Sequence, residues 1–373
     1  MDICSATTTP FRLPLRLPLA TAHGVTRIRQ GALLCLRDRG GAKGYGETMP
    51  LPGFGLESLR AAQTALMWAA QALCQEAPQC LSEALVIAAR CTPHTPGARA
   101  ALETALHDLE ARLRGVRLTT LLGGPRRNQV EVGALLAAKT PREVGEAAKQ
   151  AVRQGFRTLK IKVAATSVDR DLARVSGARD AVGGDVALRL DANGGWDEAT
   201  AHEALSRLAA AAPEYVEQPV AAADLDAMAR LRASSPIPIA ADEAAATPAS
   251  ARAVIAHRAA DLLIVKPAVL GGPRRALTLA REARQVGIDS VVTGFLDSAI
   301  GDAAALHVAA TLGGSARAAG LGTQALFLAD LASGVAPTSG MRALPGAPGL
   351  GSVPDPARLA RLASGQARRF ARC

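Results

Sequence analysis

The sequence predicts an α/β fold, a (β/α)8-type barrel over residues 129–334 preceded by an α+β unit over 1–128. Three observations carry this. From residue 131 onward, short runs rich in Val, Ile and Leu alternate with longer amphipathic Ala/Leu/Arg stretches. Such alternation of buried strand and helix builds a parallel sheet. Eight such runs can be counted, the number a closed barrel requires. Several of the runs also stop on a charged residue at intervals of one βα unit. A doubly wound open sheet is the alternative, but its nucleotide-binding signatures, G-x-G-x-x-G after a strand or G-x-x-x-x-G-K-[ST], are absent.

The elements follow in order. The start of the chain, through Leu33-Leu34-Cys35-Leu36, reads as β-strands, and Gly44 to Gly55 reads as a Gly- and Pro-rich loop. From Glu57 to Leu122 the pattern is helical, interrupted by Pro93 and Pro96 and stopped by Gly123-Gly124-Pro125. The eight apolar runs are 131–138, 157–163, 186–191, 214–217, 237–241, 261–266, 289–293 and, less regularly, 316–321. The basic tail from Arg358 to Arg372 is expected to pack back on the molecule.

Composition narrows the function. The chain has 373 residues, 49% hydrophobic and 3% aromatic, with a net charge of +10. That is enough apolar material for a large core. The basic charge is scattered and aromatic stacking platforms are scarce, so nucleic acid is not an expected partner. Six cysteines stand far apart with no C-x-x-C pair, which excludes zinc spacing and a dense disulfide framework. Arg12 and Arg16 interrupt the first apolar stretch, no run is long enough to span a membrane, and a reducing cytoplasm is the expected setting. Among 43 basic residues only six are lysine: Lys43, Lys139, Lys149, Lys160, Lys162 and Lys266. Arginine keeps its charge at any working pH, whereas lysine can lose a proton when desolvated.

Three of those lysines stand where the chemistry concentrates. The runs end in Lys160-Ile161-Lys162, Asp191-Ala192-Asn193, Glu217-Gln218-Pro219, Asp242-Glu243 and Lys266-Pro267. The steps from Lys162 to Asp191, Glu217, Asp242 and Lys266 are 29, 26, 25 and 24 residues. In a barrel these side chains share the C-terminal mouth, where active sites lie. Alternation along a strand places Lys160 and Lys162 on one face. Three carboxylates without His or Cys form a hard-oxygen site suited to Mg²⁺, with Mn²⁺ as an alternative. Flanking lysines can remove a proton next to a substrate carboxylate, with the metal countering the charge that develops.

These motifs, with Gly271-Gly272 behind the last, resemble the enolase superfamily in its muconate-lactonizing-enzyme-like subgroup, over nearly the whole chain. The resemblance implies a modified (β/α)8 TIM-type barrel with an N-terminal α+β capping domain, completed by part of the tail (about 335–373). It implies Mg²⁺ on Asp191, Glu217 and Asp242, with Lys162 and Lys266 on opposite faces of a small carboxylate substrate and Lys160 hydrogen-bonded to a carboxylate oxygen. No histidine stands at a strand end, unlike the mandelate-racemase branch, and His307 falls inside a helical stretch. Within the subgroup, Gly46-Glu47-Thr48-Met49-Pro50-Leu51-Pro52-Gly53-Phe54 is similar to the o-succinylbenzoate synthase family, as are, in part, Thr293 to Gly301 and Gly320-Leu321-Gly322-Thr323. That likeness implies substrate contacts at Pro52, Gly53, Phe54, Asn193, Thr293, Gly294 and Gly322. The implied activity is a hydro-lyase reaction, β-elimination of water to o-succinylbenzoate in menaquinone biosynthesis. N-acylamino acid racemisation and muconate-type cycloisomerisation use the same first step and remain alternatives, as does a non-catalytic Mg²⁺-binding scaffold. A dipeptide epimerase fits less well, because 320–324 lacks an acid for an ammonium group. A homo-oligomer is compatible with this reading.

Overall fold

The structure is a computed structural model that describes residues 1–21, 24–51, 54, 57–313 and 317–372. It opens with three antiparallel strands, β1 (Ile3–Thr21), β2 (Gly24–Asp38) and β3 (Lys43–Thr48), followed by helices α1 (Leu59–Glu76), α2 (Leu81–Cys91), α3 (Pro96–Leu113) and α4 (Leu118–Leu121). Strands β4 (Gln129–Glu131) and β5 (Ala134–Leu136) lead to α5 (Pro141–Arg153). Strand and helix then alternate: β6 (Thr158–Lys162), α6 (Val168–Val182), β7 (Ala187–Asp191), α7 (Glu198–Leu208), β8 (Tyr215–Glu217), α8 (Leu225–Ser234), β9 (Ile239–Ala241), α9 (Pro248–His257), β10 (Leu262–Val265), α10 (Pro273–Gln285), β11 (Asp289–Val292) and α11 (Ala299–Thr311). The chain closes with β12 (Met341–Ala343), α12 (Pro356–Leu362) and β13 (Arg368–Ala371).

Local chemistry accounts for the punctuation. Thr140 and Glu143 form a capping box at the start of α5, with Pro141 in its first turn. The helical stretch breaks over 92–95, between α2 and α3, where Pro93 and Pro96 predict it, and Pro96 opens α3, because the first helical turn has no use for its missing N–H. One expectation is corrected: Gly44 to Thr48 is strand, not loop. The two glycines serve packing here. A Cβ on Gly44 would lie 2.2 Å from Ala105 O, and one on Gly46 1.9 Å from Ala101 O. Strand β3 therefore presses directly on α3, which only glycine permits.

The first sheet has the order β13-β1-β2-β3, so the basic tail returns to the N-terminal strands, with Ser5 to Thr8 opposite Ala371 to Arg368. The second is a curled parallel sheet of order β11-β10-β9-β8-β7-β6-β5, as a (β/α)8 barrel requires. Seven of the eight expected runs form its strands. The eighth is reduced to single parallel bridges, Val132 with Ala319 and Thr293 with Gly320. Ala319 N donates to Glu131 O (2.7 Å) and Gly320 N to Val292 O (2.9 Å), so this short segment closes the ring between β11 and the start of the sheet. The core runs through barrel and surrounding helices without a break, from Leu159 and Ile161 to Leu306 and Val308. No helix among the described residues is long and apolar enough to cross a membrane. Cys4, Cys35, Cys74, Cys80 and Cys91 are free thiols.

Candidate active site

The barrel places the charged strand ends side by side. Lys162 on β6 is in register with Asp191 on β7, and Asp191 with Glu217 on β8. Asp242 and Lys266 follow β9 and β10 by one residue. Other contacts hold these ends. Arg174 on α6 is paired with Asp171 at 3.0 Å, and it donates to Lys162 O at 2.9 Å, which fixes the end of β6. Gln218, fully buried, accepts from Asp242 N (3.1 Å) and Ala244 N (3.0 Å) through its side-chain oxygen. It thereby ties the end of β8 to the loop after β9. Asn193 and Gln218 both adopt left-handed backbone (φ 45° and 42°), a strained state that clusters at functional sites.

The resulting side chains line one cavity of about 180 Å³, with Lys160, Lys162, Asp191, Asn193, Glu217, Asp242 and Lys266 on its walls. The carboxylates of Asp191, Glu217 and Asp242 are buried, at 1%, 1% and 4% exposure. Lys160 Nζ lies 2.7 Å from both Asp191 Oδ2 and Glu217 Oε1. Lys162 Nζ lies 2.7 Å from Asp191 Oδ2 and 2.6 Å from Asn193 Oδ1. Lys266 donates to both oxygens of Asp242. Asn193 Nδ2 donates to Glu243 Oε1 at 2.9 Å, joining the third and fifth strand ends.

Burial and charge divide the carboxylates. Burial would raise the Asp191 carboxyl, but the ammonium groups of Lys160 and Lys162 outweigh it and hold the group well below the usual range. Burial first, and then the Asp191 charge, pushes Glu217 up to about 8. Burial also raises Asp242, against the pull of Lys266. Burial works to lower Lys160, yet Asp191 and Glu217 prevail and raise it.

A hard divalent cation suits this donor set in kind. Three buried carboxylates face one space, and Glu217 Oε2 is buried with no hydrogen-bond partner among the described residues. The described residues do not form a ready-made cluster of metal ligands, because the carboxylates are turned onto lysine ammonium groups. Binding an ion would exchange those lysine contacts for carboxylate–metal bonds.

The substrate-facing expectations divide. Phe54, Asn193, Thr293, Gly294 and Gly322 line the cavity, while Pro52 and Gly53 lie outside the described residues. Thr293 Oγ1 is buried there without a hydrogen-bond partner among the described residues. Phe54 and Phe295 meet edge to face, with centroids 4.8 Å apart, and Lys266 Nζ stands 4.8 Å from the Phe54 ring centre. His307 is buried in α11 with Nε2 against Leu350 O at 3.1 Å, away from the cavity. The sequence reading does not single out Glu243 or Phe295 as site residues. Glu243 sits beside Asp242 in the same motif, and only the pairing with Asn193 reveals it. Phe295 lies three residues past the end of β11, where strand periodicity no longer gives a signal.

Comparison with known proteins agrees with this fold. The family model "Enolase C-terminal domain-like" matches residues 143–358, and "Mandelate racemase / muconate lactonizing enzyme, N-terminal domain" matches 3–123. A chloromuconate cycloisomerase of Cupriavidus necator is 34% identical over 307 residues, covering 81% of this chain and 82% of that protein. An o-succinylbenzoate synthase of Mycolicibacterium smegmatis is 39% identical over 246 residues, covering 65% and 72%. The crystal structure of an N-succinyl Arg/Lys racemase from Bacillus cereus superposes with a TM-score of 0.92 at 26% identity, covering 99% of this chain and 100% of that one.

Proposed function

The chain belongs to the enolase superfamily, in its muconate-lactonizing-enzyme-like branch, and on that premise we propose that it removes the proton alpha to a substrate carboxylate and then expels water, forming o-succinylbenzoate. One observation carries the proton-transfer reading. Lys162 from β6 and Lys266 from beyond β10 enter the same cavity, with three buried carboxylates between their strands. Asp191, Glu217 and Asp242 would hold a divalent cation of the Mg²⁺ type, which supplies the positive charge that a carboxylate losing its α-proton requires.

The chain's own residues do the rest. Lys162, as free amine, takes the α-proton, and its ammonium form passes that proton to the departing hydroxyl, so water leaves with no net gain or loss of protons. Asn193 orients Lys162 through its 2.6 Å contact. Lys266 stays charged on the opposite wall and offsets negative charge. Phe54, Phe295 and Leu51 form an apolar wall that excludes water from the reacting centre. The likeness of Gly46–Phe54 to the o-succinylbenzoate synthase family, and the 39% identical synthase, support dehydration as the outcome. Racemisation of N-acylamino acids is the second reading, favoured by lysines that approach from non-adjacent strands.

The test incubates the protein with Mg²⁺ in D₂O, separately with the cyclohexadiene precursor of o-succinylbenzoate, with N-succinylamino acids and with muconate. Dehydration that disappears in Lys162→Ala is expected. Amino-acid exchange or lactone formation with negligible dehydration overturns the synthase reading. No turnover of any of the three, with Lys162→Ala indistinguishable from wild type, favours the scaffold.

A further inference from the structure

Arg29, on β2, is 1% exposed and is among the largest fully buried side chains. A buried guanidinium ordinarily sits on a carboxylate. Here every hydrogen bond it makes among the described residues goes to a main-chain carbonyl. Nη1 donates to Pro50 O at 2.9 Å, and Nη2 donates to Met49 O and to Phe295 O at 3.2 Å. Nε donates to Leu296 O at 3.3 Å. Two of the four carbonyls follow β3, and the other two follow β11. One planar fork therefore joins the N-terminal sheet to the seventh strand end of the barrel. Leu296, one of the residues held, has φ 55°, a conformation that surrounding bonds must maintain.

The same guanidinium stands 5.6 Å from the Phe295 ring centre. Lys266 Nζ lies 5.8 Å from that ring and 4.8 Å from the ring of Phe54, which itself packs edge-on against Phe295. Lys266 thus rests in an aromatic corner, and Arg29 grips the backbone that carries one of its two rings.

We infer that Arg29 is a positioning residue for Lys266: by fixing the carbonyls of Phe295 and Leu296 against those of Met49 and Pro50, it sets the aromatic corner that aims the Lys266 ammonium into the cavity. The inference rests on Lys266 taking part in the reaction proposed above. Lysine cannot replace it in full, because a single ammonium lacks the fork needed to reach two backbone segments at once.

The six lysines make a direct test accessible. Protein carrying ¹³Cε-lysine should give six lysine signals, with that of Lys266 displaced upfield by the two rings and identified by its loss in Lys266→Arg. In Arg29→Met the Lys266 signal should move toward the position of a solvated lysine, while Lys43, Lys139 and Lys149 stay in place. On the substrate that the wild type turns over, kcat should fall about tenfold with KM little changed, the signature of a misaimed group rather than lost binding. Arg29→Lys should restore part of both effects. An unmoved Lys266 signal overturns the inference, and so does a shift shared by all six lysines, which would mark a general loosening. If Arg29→Met does not fold, Arg29→Lys is read by the same criteria. If the Lys266 signal moves but the wild type turns over none of the carboxylates, the functional reading fails and the positioning role stands.

Discussion

Lysine and arginine differ at this site in what they can release. Lys162→Arg keeps the charge but not the ability to act as a base, so it should lose activity as fully as Lys162→Ala, on the order of 10²–10⁴-fold in kcat. An arginine variant with near-normal kcat would remove Lys162 from the base role. Lys266→Ala separates the two readings: dehydration should slow but persist, whereas racemisation should become single-handed, with exchange of only one enantiomer. The carboxylates give a third expectation. Chelation with EDTA should abolish turnover and added Mg²⁺ should restore it, and Glu217→Gln should weaken Mg²⁺ in direct titration while leaving the fold intact by circular dichroism. The lysines and carboxylates were legible from sequence because each closes a run and because few lysines compete for notice. Arg29 was not legible: it is one arginine among 37 in the same sequence, and its four partners are main-chain carbonyls that no residue type announces.

At the scale of elements, strands place the chemistry and loops around them hold it. The parallel strands were readable from their Val, Ile and Leu content, since strands buried on both faces lose the alternation that half-buried ones show. The eighth run was weaker in sequence and is shorter in structure, bridging at single positions. Strand β3 was misread as loop because glycine signals turns and close packing alike. The segment after the eighth run is anchored from behind. Arg342 pairs with Asp302 on α11, at 1% and 2% exposure, and also donates to Leu321 O at 2.9 Å. Gln324 Nε2 donates to the same Asp302 at 2.7 Å. Arg342→Met would strand a buried carboxylate, costing about 3–5 kcal/mol. Because Gly322 lines the cavity, KM should rise as well. Urea denaturation and steady-state kinetics check the two halves of this expectation, and an unchanged midpoint contradicts it.

Across the whole molecule, buried titratable groups set how stability follows pH. Burial pushes His307 down to about 4 from its ordinary 6.5, and its Nδ1 has no hydrogen-bond partner among the described residues. The folded state therefore refuses a proton that the unfolded chain accepts between those values. Its contribution is full above about pH 6.5 and is lost as pH falls toward 4, up to roughly 3 kcal/mol. Burial, with Asp297 adding to it, pushes Glu47 up to about 8 from 4.5. That contribution is full below pH 4.5 and is lost as pH rises to 8. The two run in opposite directions, so the difference between wild type and His307→Gln isolates the first. Unfolding of the variant should be less sensitive to acid between pH 6.5 and 4, and parallel profiles would refute this assignment.

The sequence by itself determined the class of fold, the order of its strands and the charged residue that closes five of them, because burial and strand periodicity are local constraints written in residue type. It also narrowed the chemistry that can be proposed, since carboxylates without histidine or thiol, flanked by lysine, admit few reactions. Only the tertiary structure decided which side chains share a cavity, that Asn193 joins Lys162 to Glu243, that the tail strand completes the first sheet, and that Arg29 reaches a carbonyl 266 residues away while holding the segment after β3. Those pairings depend on chain closure over long separations, and no local pattern encodes which distant backbone a side chain will meet.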